Sequence, residues 1–299
     1  MDTTGSKSAA LRRIGAVGAA LALAGGLIVA GGSPAAAYTP AMSFAGVAAY
    51  DRDRSQDIVA RDNRTGLLWL YPGQSTRGYS NQPRVQIGNG WGGLTFGGLA
   101  DYDRDGHRDI VVRDDTSGLL WLYPGQSKRG YSNQPRAQIG NHWKGFTFAG
   151  IADFDRDGHQ DIITRDDSSG LLWLYPGESK RGYSGQPRVQ IGNGWNGYTF
   201  AGVADYDRDG NQDIVARQNA TGLLWLYPGE SKRGYSGQGR FQIGNGWNGH
   251  TFAGIADYDR DGSQDIIVRN DANGRLWLYP GQSTRRYSDQ ARAEIGNGW

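Results

Sequence analysis

The chain has 299 residues, no cysteine, 48 glycines and a formal charge of +2, with a mean hydropathy of −0.62. Low hydropathy would suit a disordered chain, but 10 Trp, 16 Tyr and 8 Phe would not. Residues 1–37 carry three of the 32 basic and one of the 30 acidic side chains, so residues 38–299 hold 29 of each. A neutral chain has no strong electrostatic attraction for DNA or RNA, and we expect no nucleic-acid partner.

The first 37 residues are organised like a secretory signal peptide. Lys7, Arg12 and Arg13 precede an Ala- and Gly-rich apolar run at 14–30, and Ala residues at 35–37 supply a cleavage site. The alternative is a membrane anchor, but about 17 weakly apolar residues are short for a span of ~20. We therefore expect a secreted mature chain, 38–299, without a membrane span. Because it has no cysteine, disulfides cannot brace it outside the cell.

An internal repeat of 52 residues fills the mature chain. One series places Trp-Leu-Tyr at Trp69, Trp121, Trp173, Trp225 and Trp277. A second series has Trp91, Trp143, Trp195, Trp247 and Trp299. The ten tryptophans are therefore two per repeat in five copies, which run 40–91, 92–143, 144–195, 196–247 and 248–299. We therefore expect no separate catalytic domain.

Each repeat contains four short strand-like runs. In the second copy they are Thr95–Ala100, Asp109–Arg113, Leu119–Tyr123 and Arg136–Gly140, separated by turn-forming residues. No stretch shows the apolar period of a helix, so we predict none in residues 38–299. Four strands per repeat predict an all-β, five-bladed β-propeller of four-stranded antiparallel blades. An open β-solenoid is the alternative, but the end repeats resemble the middle ones, which favours a closed ring.

An acidic loop, D-x-D-x-D-G-x-x-D, lies between the first and second strands of four repeats. Carboxylates at positions 1, 3, 5 and 9 converge on one centre, and the glycine at position 6 permits the sharp turn. Such oxygen ligands suit Ca²⁺ before Mg²⁺, with position 7 contributing its backbone carbonyl. The predicted ligands are Asp101, Asp103, Asp105, His107 and Asp109; Asp153, Asp155, Asp157, His159 and Asp161; Asp205, Asp207, Asp209, Asn211 and Asp213; and Asp257, Asp259, Asp261, Ser263 and Asp265.

The loop is not an EF-hand, because position 12 holds Val, Thr or Ala in place of the required glutamate. The alternative is that these aspartates only form solvated turns. Four carboxylates within nine residues would repel one another without a cation, and we expect about four Ca²⁺ sites that stabilise the fold. The first copy has Ala49 and Arg54 at positions 1 and 6, so we expect that loop to bind weakly or to be empty.

The segment F-A-G-V-A-D-Y-D-R-D-G-N-Q-D-I-V, residues 200–215, resembles the FG-GAP and VCBS repeats of integrin-α-like propellers. The resemblance covers 40–299 and implies Ca²⁺ in the loop joining the first two strands of a blade. Integrin-type propellers usually have seven blades, so five is a departure. Five near-identical blades resemble instead the tachylectin-type lectins, which bind one sugar per blade. The chain is also similar to secreted actinobacterial propeller lectins, including the lectin subunits of the umbrella toxin particles of Streptomyces.

Three repeated aromatic positions are candidates for sugar binding or for packing. We expect the Trp-Leu-Tyr series to pack between blades. The second Trp series follows an asparagine, and this pair could stack on a sugar and bind its hydroxyls, or only plug the blade edge. A polar run around Tyr183 could bind a glycan or form a solvated loop. The candidate glycan ligands are Asn89, Trp91, Asn141, Trp143, Asn193, Trp195, Asn245, Trp247, Asn297 and Trp299, with Tyr79, Tyr131, Tyr183, Tyr235 and Tyr287.

These patterns favour a secreted, Ca²⁺-stabilised lectin that binds extracellular glycans multivalently as a monomeric propeller. The alternative is a protein-interaction propeller, the targeting or docking subunit of a larger secreted, toxin-like complex. Glycosidases need two differently tuned carboxylates at one bond. The glutamates Glu178, Glu230 and Glu294 lie in no distinctive context, and no Ser-His-Asp set is evident. We therefore expect no enzymatic activity.

Overall fold

The computed structural model describes residues 41–299, which form 20 β-strands and contain no helix. The predicted signal peptide lies outside these residues. Within 41–299 no helix is long and apolar enough to cross a membrane. The strands form five antiparallel sheets of four consecutive strands each. This confirms the prediction of an all-β propeller with five four-stranded blades.

Blades 1 and 2 contain β1 (Met42–Ala48), β2 (Asp57–Asp62), β3 (Leu68–Tyr71), β4 (Val85–Gly88), β5 (Leu94–Ala100), β6 (Asp109–Asp114), β7 (Leu120–Tyr123) and β8 (Ala137–Gly140). Blade 3 contains β9 (Phe146–Ala152), β10 (Asp161–Asp166), β11 (Leu172–Tyr175) and β12 (Val189–Gly192). Blades 4 and 5 contain β13 (Tyr198–Ala204), β14 (Asp213–Gln218), β15 (Leu223–Tyr227), β16 (Phe241–Gly244), β17 (His250–Ala256), β18 (Asp265–Asn270), β19 (Leu276–Tyr279) and β20 (Ala293–Gly296). The strands of blade 2 lie within one residue of their predicted bounds.

The first strand of every blade lies innermost, since β1, β5, β9, β13 and β17 contact one another in a closed circuit. Each of these strands has a β-bulge that ends on a glycine with positive φ, such as Gly98 at +144°. A β-carbon on Gly98 would lie 3.4 Å from Ile151 of the next blade. The glycines therefore allow five inner strands to approach one another closely around the axis.

The hydrophobic core lies mainly between blades. One buried cluster combines Val59 and Leu70 of blade 1 with Ile110 and Val112 of blade 2, and Trp121 of blade 2 packs against it. The Trp-Leu-Tyr series therefore packs between blades, as predicted. A single blade cannot bury its apolar faces alone, and stacking against both neighbours supplies the missing partner.

The ring closes without exchange of strands between its ends, because every sheet consists of consecutive strands. One of the contacts that close the ring is made by Arg269, a buried arginine of β18. Its guanidinium donates hydrogen bonds to the carbonyl of Met42 at 2.7 Å and to that of Trp299 at 3.3 Å. One side chain thus joins the first strand of blade 1 to the end of blade 5.

A glycine in each loop between the third and fourth strands lies against the strand-1–strand-2 loop of its own blade. We expect Gly125→Ala to destabilise the fold, because the new β-carbon would overlap the carbonyl oxygen of Arg108. Overpacking costs about 1–3 kcal/mol, which calorimetry would measure as a lower melting temperature. Gly130→Ala in the same loop is the matched control, since its β-carbon would meet no atom within 4 Å. Equal melting temperatures for the two variants would contradict this account.

Candidate functional site

Two loops emerge at the same end of every blade: the acidic loop and the long loop that connects the third and fourth strands. They do so because antiparallel strands alternate in direction. In blade 2 the buried Asp109 joins them, accepting hydrogen bonds from the amides of Tyr102 at 2.9 Å and Gly125 at 2.8 Å. The position of each long loop therefore depends on an aspartate of the acidic loop beside it.

Three carboxylates converge in each acidic loop of the described residues. Their closest oxygens lie within 4.8 Å of one another. In blades 2 to 5 these are positions 1, 3 and 9, namely Asp101, Asp103 and Asp109; Asp153, Asp155 and Asp161; Asp205, Asp207 and Asp213; and Asp257, Asp259 and Asp265. In blade 1 they are positions 3, 5 and 9, which are Asp51, Asp53 and Asp57. The acidic clusters could hold metal ions, and carboxylate oxygens are the ligands that Ca²⁺ prefers.

In each cluster, burial disfavours the charged form of the carboxylate at position 9. Burial raises the pKa of Asp109 to about 7, with a further contribution from the charge of Asp103, although backbone hydrogen bonds act in the opposite direction. In blade 1 burial raises the pKa of Asp57 to about 6. A divalent cation beside these groups would favour their charged forms. The donor set and its burial therefore fit a hard cation.

The carboxylate at position 5, which the spacing predicted as a ligand, lies outside the cluster of three in blades 2 to 5 and pairs with an arginine of the next blade around the ring. Arg181 of blade 3 forms ion pairs with both Asp103 and Asp105 of blade 2, the latter at 2.7 Å. We call this contact the arginine latch. It recurs around the ring with Arg129 on Asp51 and Asp53, Arg233 on Asp155 and Asp157, Arg285 on Asp207 and Asp209, and Arg77 on Asp259 and Asp261. In the sequence the arginine latch is visible only as an arginine that lies two residues before the repeated tyrosine in every copy.

The side chains at position 7 contact the long loop of their own blade. The Nδ1 atom of His107 lies 2.7 Å from the hydroxyl of Ser127, and His159 makes the same contact with Ser179. Asn211 accepts a hydrogen bond of 2.5 Å from the hydroxyl of Ser231. These contacts direct one polar atom of each side chain to the long loop, and the spacing predicts that position 7 contributes its backbone carbonyl to the cation.

The two sets of candidate glycan residues meet in clefts between neighbouring blades. The cleft between blades 3 and 4 is lined by Asn193 and Trp195 of one repeat and by Tyr235, Gln238 and Arg240 of the next. Its volume is about 320 Å³. Equivalent clefts of about 220 and 230 Å³ lie between blades 1 and 2 and between blades 2 and 3. The Asn-Trp series and the tyrosine run, which the sequence presented as separate candidates, thus contribute to one site.

The tryptophan and the tyrosine occupy different positions in the cleft. Trp195 forms its floor and is 7% exposed, with Tyr227 and Phe200 at ring-centroid distances of 4.4 and 5.4 Å. Tyr235 lies at the rim and is 46% exposed, and its hydroxyl bonds Gln190 of the preceding blade. The aromatic ring available to a ligand is therefore the tyrosine, while the tryptophan mainly packs between blades.

This difference predicts opposite effects of two substitutions. Trp195→Ala should destabilise the protein by about 3–5 kcal/mol, because it removes a buried indole between blades. Tyr235→Ala should cost about 1 kcal/mol, since the ring is half exposed and loses two hydrogen bonds, one from Gln190 and a long one of 3.4 Å from Asn193. Denaturant unfolding of the two variants measures both values. The assignment of floor and rim is wrong if Tyr235→Ala is the more destabilising change.

Comparison with known proteins identifies the repeat. The family model described as FG-GAP-like repeat matches residues 101–164, 153–216 and 205–268, which together span more than half of the chain. No curated protein matches this sequence. One similar solved structure is a lectin of Agrocybe aegerita that recognises non-reducing terminal N-acetylglucosamine. It is 15% identical with a TM-score of 0.44, the match covers 88% of this chain and 68% of the lectin, and we infer nothing about ligands from it. The chain belongs to the FG-GAP-like repeat family, as its acidic loops predicted.

Proposed function

We propose that this protein is a secreted, Ca²⁺-stabilised β-propeller lectin that binds extracellular glycans in the clefts between its blades. The observation that carries the proposal is the repetition of one cleft at three successive interfaces between blades, with a half-exposed tyrosine at its rim. The five tyrosines Tyr79, Tyr131, Tyr183, Tyr235 and Tyr287 are 44–48% exposed. Such rings offer a flat apolar face to a sugar at little cost in conformational entropy.

Polar groups surround this tyrosine in a way that suits hydroxyl recognition. In the cleft between blades 3 and 4, the amide of Asn193 and the side chains of Ser236 and Gln238 line the same space as the tyrosine ring. Amides and hydroxyls both donate and accept hydrogen bonds, as sugar hydroxyls do. Repeated weak sites on one ring would gain avidity for a surface that carries many copies of the glycan.

A binding role without catalysis is part of the proposal. Glycoside hydrolysis needs two carboxylates in different environments. The cleft between blades 3 and 4 is lined by one acidic side chain, Glu230, which forms an ion pair with Lys232. Secretion is supported by the leader-like first 37 residues.

The same proposal places Ca²⁺ in the acidic loops. In blade 2 Asp101, Asp103 and Asp109 would hold the ion, with Asp105 and the position-7 carbonyl nearby in the loop. The ion would supply positive charge that reduces repulsion among these carboxylates. A cation that binds only the folded state stabilises it, which would compensate for the absence of disulfides.

We expect chelation by EDTA to lower the melting temperature of residues 38–299, and Ca²⁺ to restore it. Each site contributes about 2.7 kcal/mol when the free ion is a hundredfold above its Kd. Asp103→Asn and Asp51→Asn form a matched pair, because both remove a position-3 carboxylate held by an arginine latch. If the first loop binds weakly, Asp103→Asn reduces the Ca²⁺-dependent shift more than Asp51→Asn does. A melting temperature indifferent to EDTA would refute the calcium proposal.

A glycan array with residues 38–299 in Ca²⁺ tests the lectin proposal directly. We expect binding to a defined glycan, and its loss when all five rim tyrosines are replaced by alanine. The corresponding five Tyr→Phe replacements are the control, since they retain the ring and remove only the hydroxyl. We expect them to weaken binding by about tenfold or less per site. If no glycan binds in Ca²⁺, the lectin proposal fails, and pull-down for a secreted protein partner becomes the next experiment.

A further inference from the structure

The clefts share a feature that hydroxyl recognition does not explain, which is an exposed arginine with no acidic partner. The five equivalent residues are Arg84, Arg136, Arg188, Arg240 and Arg292. Within residues 41–299 none of the five lies within 4.0 Å of a carboxylate oxygen. The latch arginines differ, since each of them pairs with two aspartates. The guanidinium groups of the five cleft arginines therefore have no carboxylate as a counter-charge.

These arginines are nevertheless held in a defined position. The guanidinium of Arg136 lies 4.0 Å from the ring centroid of Trp121, and Arg188 lies equally close to Trp173. Arg136 also donates one hydrogen bond, of 2.9 Å, to the hydroxyl of Tyr123. A guanidinium has five N–H groups in a fixed fork. Stacking and one hydrogen bond orient the group and leave most of its donors available.

Each of the three clefts contains one uncompensated positive charge. Arg136 is the single charged residue that lines the cleft between blades 1 and 2, and Arg188 is the single one between blades 2 and 3. Between blades 3 and 4, Glu230 and Lys232 neutralise each other, which leaves Arg240. This excess stands out because residues 38–299 are neutral as a whole, with 29 basic and 29 acidic side chains.

Of the three clefts, the one between blades 3 and 4 has the arginine that is most available to an anion. At the end of the second strand, blades 1 to 3 have an aspartate. The pKa of Asp114 there is lowered first by the hydrogen bond from the backbone amide of Ser117, and the positive charge of Arg136 contributes as well. Blade 4 has Gln218 at this position, so Arg240 has no such neighbouring acid. Arg240 also donates to Tyr198 at 2.6 Å and to Tyr227 at 3.0 Å. This cleft is the largest of the three, at about 320 Å³.

We propose that the glycan carries an anionic group, a carboxylate or a sulfate, that pairs with the cleft arginine, and that the cleft between blades 3 and 4 binds it most tightly. The inference rests on the proposed lectin function and names its ligand class. Planar guanidinium groups bind carboxylates and sulfates through parallel hydrogen bonds, and such charge-assisted bonds are about twice as strong as neutral ones.

An array of matched acidic and neutral glycans, run in Ca²⁺, tests this in the unmodified protein. The pairs are sialylated and unsialylated lactose, and 6-sulfated and unsulfated N-acetylglucosamine. We expect the acidic member of at least one pair to bind about tenfold more tightly or better, with an advantage that shrinks as NaCl rises from 50 to 500 mM. Preference in only one pair distinguishes a carboxylate ligand from a sulfate ligand.

Two variants assign the preference to the arginine. Arg240→Gln should reduce the acidic-to-neutral affinity ratio of the tightest site, measured by titration calorimetry, to about one. Gln218→Asp should lower that ratio while it keeps Arg240, and blades 2 and 3 tolerate aspartate at this position. Arg64→Gln is the control, because Arg64 belongs to blade 1, where its exposed side chain pairs with Asp62 at 3.8 Å, and it does not line the cleft between blades 3 and 4. A purely structural arginine would change the melting temperature and leave the ratio unchanged.

The outcomes separate the two proposals. If glycans bind but acidic and neutral members bind equally, or the ratio is unaffected by Arg240→Gln and Gln218→Asp, the inference fails and the lectin proposal stands. If no glycan binds at all, both fail. An acidic preference that disappears in Arg240→Gln and persists in Arg64→Gln supports both.

Discussion

Each blade is organised around one buried carboxylate. The aspartates Asp57, Asp109, Asp161, Asp213 and Asp265 are fully buried, and each bonds the amides of two separate loops. An isolated buried anion is costly, and these groups are tolerated because backbone N–H groups, and in our proposal a cation, stabilise the charge. The same carboxylate holds the long loop that carries the rim tyrosine. It therefore connects the acidic loop to the cleft.

The arginine latch connects the long loop of one blade to the acidic loop of the preceding blade. Arg181 lies two residues before Tyr183, so the side chain that engages the acidic loop of blade 2 also positions the rim of the cleft between blades 2 and 3. The ring closes by the same contact, from Arg77 to Asp259 and Asp261. These ion pairs join a nearly buried aspartate at position 3 to an arginine that is about one-third exposed. Their value here is geometric, because together with the hydrogen bond between each rim tyrosine and the preceding blade they align the five long loops around the ring.

The repeats are most alike in packing and least alike around the clefts. The first residue of the inner strand is Met42, Leu94, Phe146, Tyr198 or His250, and it packs beside the cleft tryptophan or its cluster. In the fifth repeat Glu294 replaces the glutamine that bonds the rim tyrosine, and Arg275 pairs with it at 2.9 Å. The five blades are therefore similar frames whose residues beside the clefts differ, and the three described clefts also differ in size. This variation supports unequal affinities around the ring.

The fold could be predicted because its determinants are local and periodic. The 52-residue spacing, the strand patterns and the acidic loop are visible without knowledge of any distant contact, and the structure agrees with them within one residue in blade 2. The site could be predicted only in parts. The sequence separates Asn193 from Tyr235 by 42 residues, and nothing local indicates that one blade supplies the floor and the next the rim. Sequence alone likewise left open whether Trp195 faces a ligand or the core, since a tryptophan that closely follows an asparagine suits both. Tertiary structure decided these points and revealed the latch, because packing between blades determines which side chains are covered and which charges remain unpaired.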